Sequence, residues 1–168
     1  SYLFKIKYII NRLSVISGPW QFGKQEQGFV SLWLWKHLNK KGLSYIGFGG
    51  KGHQVRDIIH IDDVCDLIYK QIKLFSKKYN ILINAGGGIK NAISLKELTQ
   101  KCREITLNSI KFSVKKNTSI YDIPYFVTDN SEAKNLYKWS PKKNIDDIIF
   151  DTFMWIKLNF KKIKLYFR

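Results

Sequence analysis

Arg56 and the glycines ahead of it are the residues of this chain best suited to chemistry on an anion. Gly47, Gly49, Gly50 and Gly52 fall within one short loop. A backbone without Cβ atoms can approach a ligand closely there. Arg56 follows, beside Asp57, at the entry to a β-like run. Its planar guanidinium can form parallel hydrogen bonds to a phosphate or diphosphate. The loop alone is a weak sign. No Ser or Thr follows Lys51 and no helix begins at the last glycine, so it is neither a Walker A nor a dinucleotide fingerprint. A hairpin would use the same glycines, and a surface salt bridge to Asp57 or Asp62 would use the same arginine.

Other reactive residue types do not assemble into a site. His37, His53 and His60 are not at metal-ligand spacing, so no metal is expected, and His60 reads as a strand residue. The two cysteines, Cys65 and Cys102, lie far apart in helical patterns and read as small buried hydrophobes in a reducing cytoplasm. Tyr69 and Lys73 have Tyr-x-x-x-Lys spacing but sit on an ordinary helix face. The run Gly18-Pro19-Trp20-Gln21-Phe22-Gly23 closes a β-rich stretch that opens with Arg12-Leu13-Ser14. Glycine and proline both end a strand there.

The elements that hold these residues alternate in type. Tyr8 to Ile16 reads as one buried strand and Gly28 to Leu38 as an amphipathic helix stopped by Lys40-Lys41-Gly42. Leu43 to Phe48 is a short strand before the glycine loop. Val55 to Ile61 is another, broken midway by Asp57. Asp62 and Asp63 occupy N-cap positions ahead of Val64, Leu67, Ile68, Ile72 and Phe75. Ile81 to Asn84 is an apolar strand running into Gly86-Gly87-Gly88. Ser94 and Glu97 form a capping box for a helix from Leu95 to Ile105. Ile110 to Val114 is a further strand, Asp129 opens a short helix to Tyr137, and Asn144 caps a last helix with an apolar face through Phe160. Strands alternating with helices make the class α/β.

With 168 residues, 45% of them hydrophobic and 15% aromatic, the chain can fold around a sizeable core. No apolar run approaches the roughly 20 residues that cross a bilayer, and the opening residues lack a signal-peptide cleavage pattern. The first residue is Ser1 rather than methionine, which reads as a start partway through a gene. The net charge of +16 comes from scattered lysine pairs, with arginine only at positions 12, 56, 103 and 168. That distribution reads as a solvated basic surface rather than a nucleic-acid reader.

Taken in order, the Arg12 to Gly23 run, then Gly47-Phe48-Gly49-Gly50-Lys51-Gly52-His53-Gln54-Val55-Arg56-Asp57 and His60-Ile61-Asp62-Asp63, resembles the substrate half of the extended short-chain dehydrogenases. These are the NAD-dependent epimerases and dehydratases. Gln21-Phe22-Gly23 followed by Gln25-Glu26-Gln27-Gly28-Phe29 points within them to the CDP-tyvelose (CDP-paratose) 2-epimerase group. Asn84 to Gly88, Asn91, Ser94-Leu95, Asp122 to Asp129, Ala133-Lys134 and Trp139-Ser140-Pro141 extend the match to about Leu158.

The resemblance implies the C-terminal part of a Rossmann-type doubly wound sheet interleaved with a small α/β substrate-binding domain across residues 1–168, the N-terminal cofactor half being absent. It implies NAD as cofactor, with Ser14 and Val15 near the nicotinamide. Gly18, Pro19, Gln21 and Phe22 would border the sugar, Phe48 the nucleobase pocket, and Arg56, Asn91 and Asp122 the nucleotide; for Asn91 a plain strand-turn-helix junction is an equal reading. No catalytic residue is expected here, because the family's Tyr-x-x-x-Lys pair and Gly-x-x-Gly-x-x-Gly turn belong upstream of Ser1. Ser17 stands where the family usually has tyrosine, and Trp20 where arginine is common. Asn117, Thr118 and Ser119 occupy the stretch where many relatives carry a phosphate-binding arginine.

The implied function is a cytoplasmic, homo-oligomeric nucleotide-sugar epimerase, acting at C2 of a CDP-linked deoxysugar in surface polysaccharide (lipopolysaccharide) synthesis and inactive as this stretch alone. It has no nucleic-acid partner and no transmembrane segment. Two alternatives stand beside it: a 4-epimerase or 4,6-dehydratase of the same superfamily, and a non-catalytic basic membrane- or nucleic-acid-binding module, whose Lys157 to Arg168 end could rest on an anionic membrane face.

Overall fold

The computed structural model describes residues 3–24 and 27–167. The β-formers after Tyr8 do extend, but they divide at Ser14 into β1 (Ile9–Leu13) and β2 (Val15–Ser17). Ser14 N–H donates to the Ala85 carbonyl at 3.1 Å. Up to that point β1 pairs in parallel with β5 (Ile81–Ala85), and beyond it β2 pairs in parallel with β4 (Val55–His60). The single strand expected is therefore two. It is also only half-buried, with Ile10 exposed.

Strand β4 is the spine of the molecule. It runs unbroken through Asp57, contrary to expectation. A buried carboxylate is tolerated when hydrogen bonds replace its water. Here the fully buried Asp57 accepts from Gly88 N–H at 2.9 Å and from the Thr128 hydroxyl at 3.2 Å. Strand alternation then sends Ile58 and Ile59 to opposite sides. Ile58 joins one core with α1 (Phe29–Leu38), α3 (Leu95–Thr106) and α5 (Ile145–Ile163). Ile59 joins a second with β5, α2 (Ile61–Leu74) and α4 (Ser131–Tyr137). Strand β6 (Ala92–Ser94) runs antiparallel to β4, and β8 (Tyr125–Phe126) parallel to it, while β3 (Leu43–Ile46) and β7 (Phe112–Lys115) form a separate parallel pair.

Helix α1 is not amphipathic. Ser31 and His37 are buried along with Val30, Leu32, Trp33, Leu34 and Trp35, because α3 and α5 both pack against it. A helix enclosed in this way is apolar around its whole circumference. Trp35 stacks on Phe160 and Phe167 at 4.8 and 4.5 Å.

The acidic pair at the start of α2 also departs from the expected capping. His60 is the N-cap, its Nδ1 accepting from Asp62 N–H at 3.1 Å. Asp63 turns away to accept from Lys142 and Lys143 N–H at 3.0 and 3.1 Å, tying the entry to α5 onto the second core. Ile68, Ile72 and Cys65 are exposed on α2 rather than buried. Cys102 is fully buried, and burial pushes its thiol pKa well up. Both expected caps are present, Ser94 with Glu97 and Asn144 with Asp147.

The glycine loop is not a hairpin. It makes one 3₁₀ turn over Phe48–Gly50 and carries the chain from β3 across to β4. Gly50 has φ 70, and a Cβ there would run into the Val114 side chain. Among the described residues no helix is long and apolar enough to cross a membrane.

Candidate functional site

Strand β4 delivers Arg56 to the surface of the first core, and Gln54 stands just ahead of that strand. Arg56 donates through Nη1 to the Val55 carbonyl at 2.7 Å and through Nη2 to Asp122 at 2.5 Å. The ion-pair partner is thus Asp122, 66 positions on, and neither Asp57 nor Asp62. Arg56 remains 21% exposed. A guanidinium carries five N–H donors, so donors remain for a ligand.

Arg56 and Asp122 line a cleft of about 620 Å³ whose walls include Val15, Phe29, Trp33 and Tyr121. That volume lies in the ordinary range for a small-molecule site. A second cleft of about 470 Å³ is lined by Ser14, Val15, Ile16, Gln21, Gln27, Gly28 and Phe29. Val15 and Phe29 belong to both, so the two clefts share a wall. One end holds the Arg56–Asp122 ion pair. The other holds the junction of β1 and β2 with the Gln21 carboxamide beside it.

The structure brings together five residues singled out from the sequence: Ser14, Val15, Gln21, Arg56 and Asp122. Gln21 bridges its surroundings, donating to the Ile16 carbonyl at 2.5 Å and accepting from the Ser31 hydroxyl at 3.2 Å. Gly18 is buried and lines neither cleft. Its φ is 141, and a Cβ would come within 2.8 Å of Ile61 Cγ2, so only glycine makes this turn without displacement. Pro19 follows it half-buried and lines neither cleft.

Three expected contacts go elsewhere. Phe22 packs its ring against Trp155, Tyr166 and Phe167 at 5.6, 5.1 and 5.8 Å and faces neither cleft. Asn91 is buried and donates to the Lys143 carbonyl at 2.8 Å, which is the junction role. Phe48 lines neither cleft, but its N–H donates to the Thr118 hydroxyl at 2.7 Å beside the cleft residue Ser119. Gln25 and Glu26 lie outside the described residues.

Sequence reasoning passed over Gln54, Trp33 and Tyr121, all cleft residues. Gln54 was within reach, since it stands only two residues before Arg56. Tyr121 is brought in by a long excursion that no local pattern announces.

Parts of a dinucleotide site can be tested directly. Ser14 and Val15 stand at the junction of β1 and β2. The glycines after β5 do not suit a pyrophosphate, because their amides are engaged. Gly86 N–H donates to Asn130, Gly87 N–H to Ser14 and Gly88 N–H to Asp57. Lys73 Nζ sits 4.3 Å over the exposed Tyr69 ring, a surface cation–π contact remote from either cleft. No group of residues that could hold a metal occurs among those described.

The model of the NAD dependent epimerase/dehydratase family matches residues 2–86. The chain is 29% identical over 157 residues to the CDP-paratose 2-epimerase of Salmonella typhi, covering 91% of this chain and 46% of that protein. Among solved structures it is similar to UDP-glucose 4-epimerase with UDP-glucose from Thermotoga maritima, with TM-score 0.78 and 23% identity over 92% of this chain and 47% of that one. It is also similar to UDP-glucuronic acid 4-epimerase from Bacillus cereus in complex with UDP-glucuronic acid and NAD, with TM-score 0.76 and 25% identity over 89% and 45%. The chain spans about half the length of the curated relatives it matches, 46% and 48%. The shared architecture is the C-terminal part of a Rossmann-type epimerase fold.

Proposed function

The chain belongs to the NAD dependent epimerase/dehydratase family, and we propose that it is the nucleotide-gripping and sugar-facing part of a nucleotide-sugar epimerase. The observation that carries this reading is the pair of clefts sharing Val15 and Phe29, with Arg56–Asp122 at one end and Ser14, Val15 and Gln21 at the other. A nucleoside diphosphate sugar needs that sequence of surroundings: a cation for the diphosphate, then polar groups for the sugar beside a redox ring.

Arg56 binds the diphosphate, and Asp122 fixes the guanidinium so that its free edge faces the cleft. Phe29 and Val15 exclude water from the passage between the two ends. Gln21, held by the Ile16 carbonyl and the Ser31 hydroxyl, presents a rigid edge toward the sugar. NAD, when bound, would supply the hydride acceptor and donor, and Ser14 and Val15 are the residues that would hold its nicotinamide. The tyrosine and lysine that manage the proton, and the glycine turn that grips the pyrophosphate, come from residues outside this sequence. Residues 1–168 on this reading are the C-terminal half of a cytoplasmic homo-oligomer, with no nucleic-acid partner.

The reaction we propose is epimerisation at C2 of a CDP-linked deoxysugar for surface polysaccharide. Similarity to a CDP-paratose 2-epimerase across 91% of the chain supports it. A second reading, 4-epimerisation of a UDP-sugar, draws on the similarity to UDP-sugar 4-epimerases of known structure. The test is turnover by the enzyme completed with its cofactor half, following deuterium exchange and product stereochemistry with CDP-paratose and UDP-glucose. Exchange at C2 of CDP-paratose is expected. Turnover of UDP-glucose at C4 with CDP-paratose untouched would replace the first reading by the second.

A further inference from the structure

Within the Arg56 cleft, Gln54 carries an acceptor that nothing in the protein uses. Its side-chain amide nitrogen donates to the Ile46 carbonyl at 2.9 Å. Only the NH₂ end of a carboxamide can face a carbonyl oxygen, so this bond fixes which end points away. The other end, Oε1, is buried and without a hydrogen-bond partner, on a residue only 9% exposed that lines the cleft. Among the described residues it is the one unpaired buried side-chain acceptor in that lining. The Ser44 hydroxyl in the same wall is already paired with Ser113 at 2.6 Å, and the Trp33 indole donates to Thr99 at 3.0 Å.

Buried polar groups without partners are uncommon and call for a ligand or water. We infer that Gln54 Oε1 accepts a hydrogen bond from a ribose hydroxyl of the bound nucleotide. The inference rests on the nucleotide reading of the cleft, and geometry selects the ribose. Gln54 immediately precedes β4, two residues before Arg56, so their Cα atoms lie at most about 7 Å apart, and both side chains line the cleft. With Arg56 on the diphosphate, the next group along any nucleotide is the ribose, whose hydroxyls are donors. The base lies one ring further on. An acceptor locked by Ile46 cannot rotate to offer its NH₂ instead, so the site distinguishes a hydroxyl from a hydrogen at that position.

The test is calorimetric titration of the 168-residue chain and of Gln54→Leu and Gln54→Met with CDP, 2′-deoxy-CDP, 3′-deoxy-CDP and UDP. The parent is expected to prefer CDP over one of the two deoxy analogues by about tenfold, the size of one hydrogen bond. Both variants should erase that ratio while keeping the CDP-to-UDP ratio. Each ratio is measured on one preparation, so a variant that folds less completely still reports it. A ribo-to-deoxy ratio unchanged in the variants overturns the assignment of Gln54 alone. A change confined to the CDP-to-UDP ratio overturns it in favour of the base. If the parent binds neither CDP nor UDP, the nucleotide reading of the cleft falls and this inference with it.

Discussion

A cation in a cleft is useful only when something fixes its direction, and for Arg56 that is Asp122 on one side and the Val55 carbonyl on the other. His37 shows the opposite use of burial. It is fully enclosed in α1, with Nδ1 2.7 Å from the Trp33 carbonyl. Burial holds its pKa below 6.5, the Trp33 carbonyl pulls partly upward, and Arg103 adds to the depression. The folded state therefore stays neutral below the pH at which the unfolded imidazole takes a proton. Stability from this residue is complete above about 6.5 and is lost as pH falls through that value. Thermal melts between pH 7.5 and 5.5 should show a decline that His37→Gln flattens; parallel curves for parent and variant would contradict it. At this scale Arg56 was legible from the glycines and Asp57 around it, and Gln54 from its place two residues earlier. Asp122 as the partner was not, because it is 66 positions away, and neither was the packing of Phe22 on Trp155 and Phe167, rings that come from the far end of the chain.

Elements were legible where their signals are local. The Ser94 capping box and the Asn144 cap are found as read, and Asn144 proves to close a box as well, with Asp147 three residues on. Where the deciding partner is distant, the reading failed. Asp57 continues a strand because Gly88 and Thr128 satisfy it, and α1 is apolar all round because α3 and α5 enclose it. The Asn144 cap starts the longest helix of those described, accepting from Asp146 and Asp147 N–H. Asn144→Ala should cost about 1 kcal/mol, within the range of roughly 0.5–2 for such caps. Urea unfolding should show a lower midpoint at unchanged slope. A midpoint equal to the parent's would mean that packing alone holds the end of α5.

Across the whole molecule, β4 divides two cores, with Ile58 in one and Ile59 in the other, and its first half carries Arg56 into the cleft. That division lets one strand pack against α1, α3 and α5 on one side and against β5, α2 and α4 on the other. Because Gly86, Gly87 and Gly88 give their amides to Asn130, Ser14 and Asp57, the purified 168-residue chain should carry no stoichiometric NAD. Absorbance and mass analysis of the extracted nucleotide check this, and an equimolar NAD content would contradict it. The central claim is that the Arg56 cleft grips a nucleoside diphosphate, and calorimetric titration of the chain with CDP beside its Arg56→Ala and Arg56→Lys variants measures it. The account predicts saturable binding that Arg56→Ala weakens by about 1.5–3 kcal/mol and Arg56→Lys restores only in part, since an ammonium cannot form the planar fork. Equal affinity in parent and Arg56→Ala would contradict it.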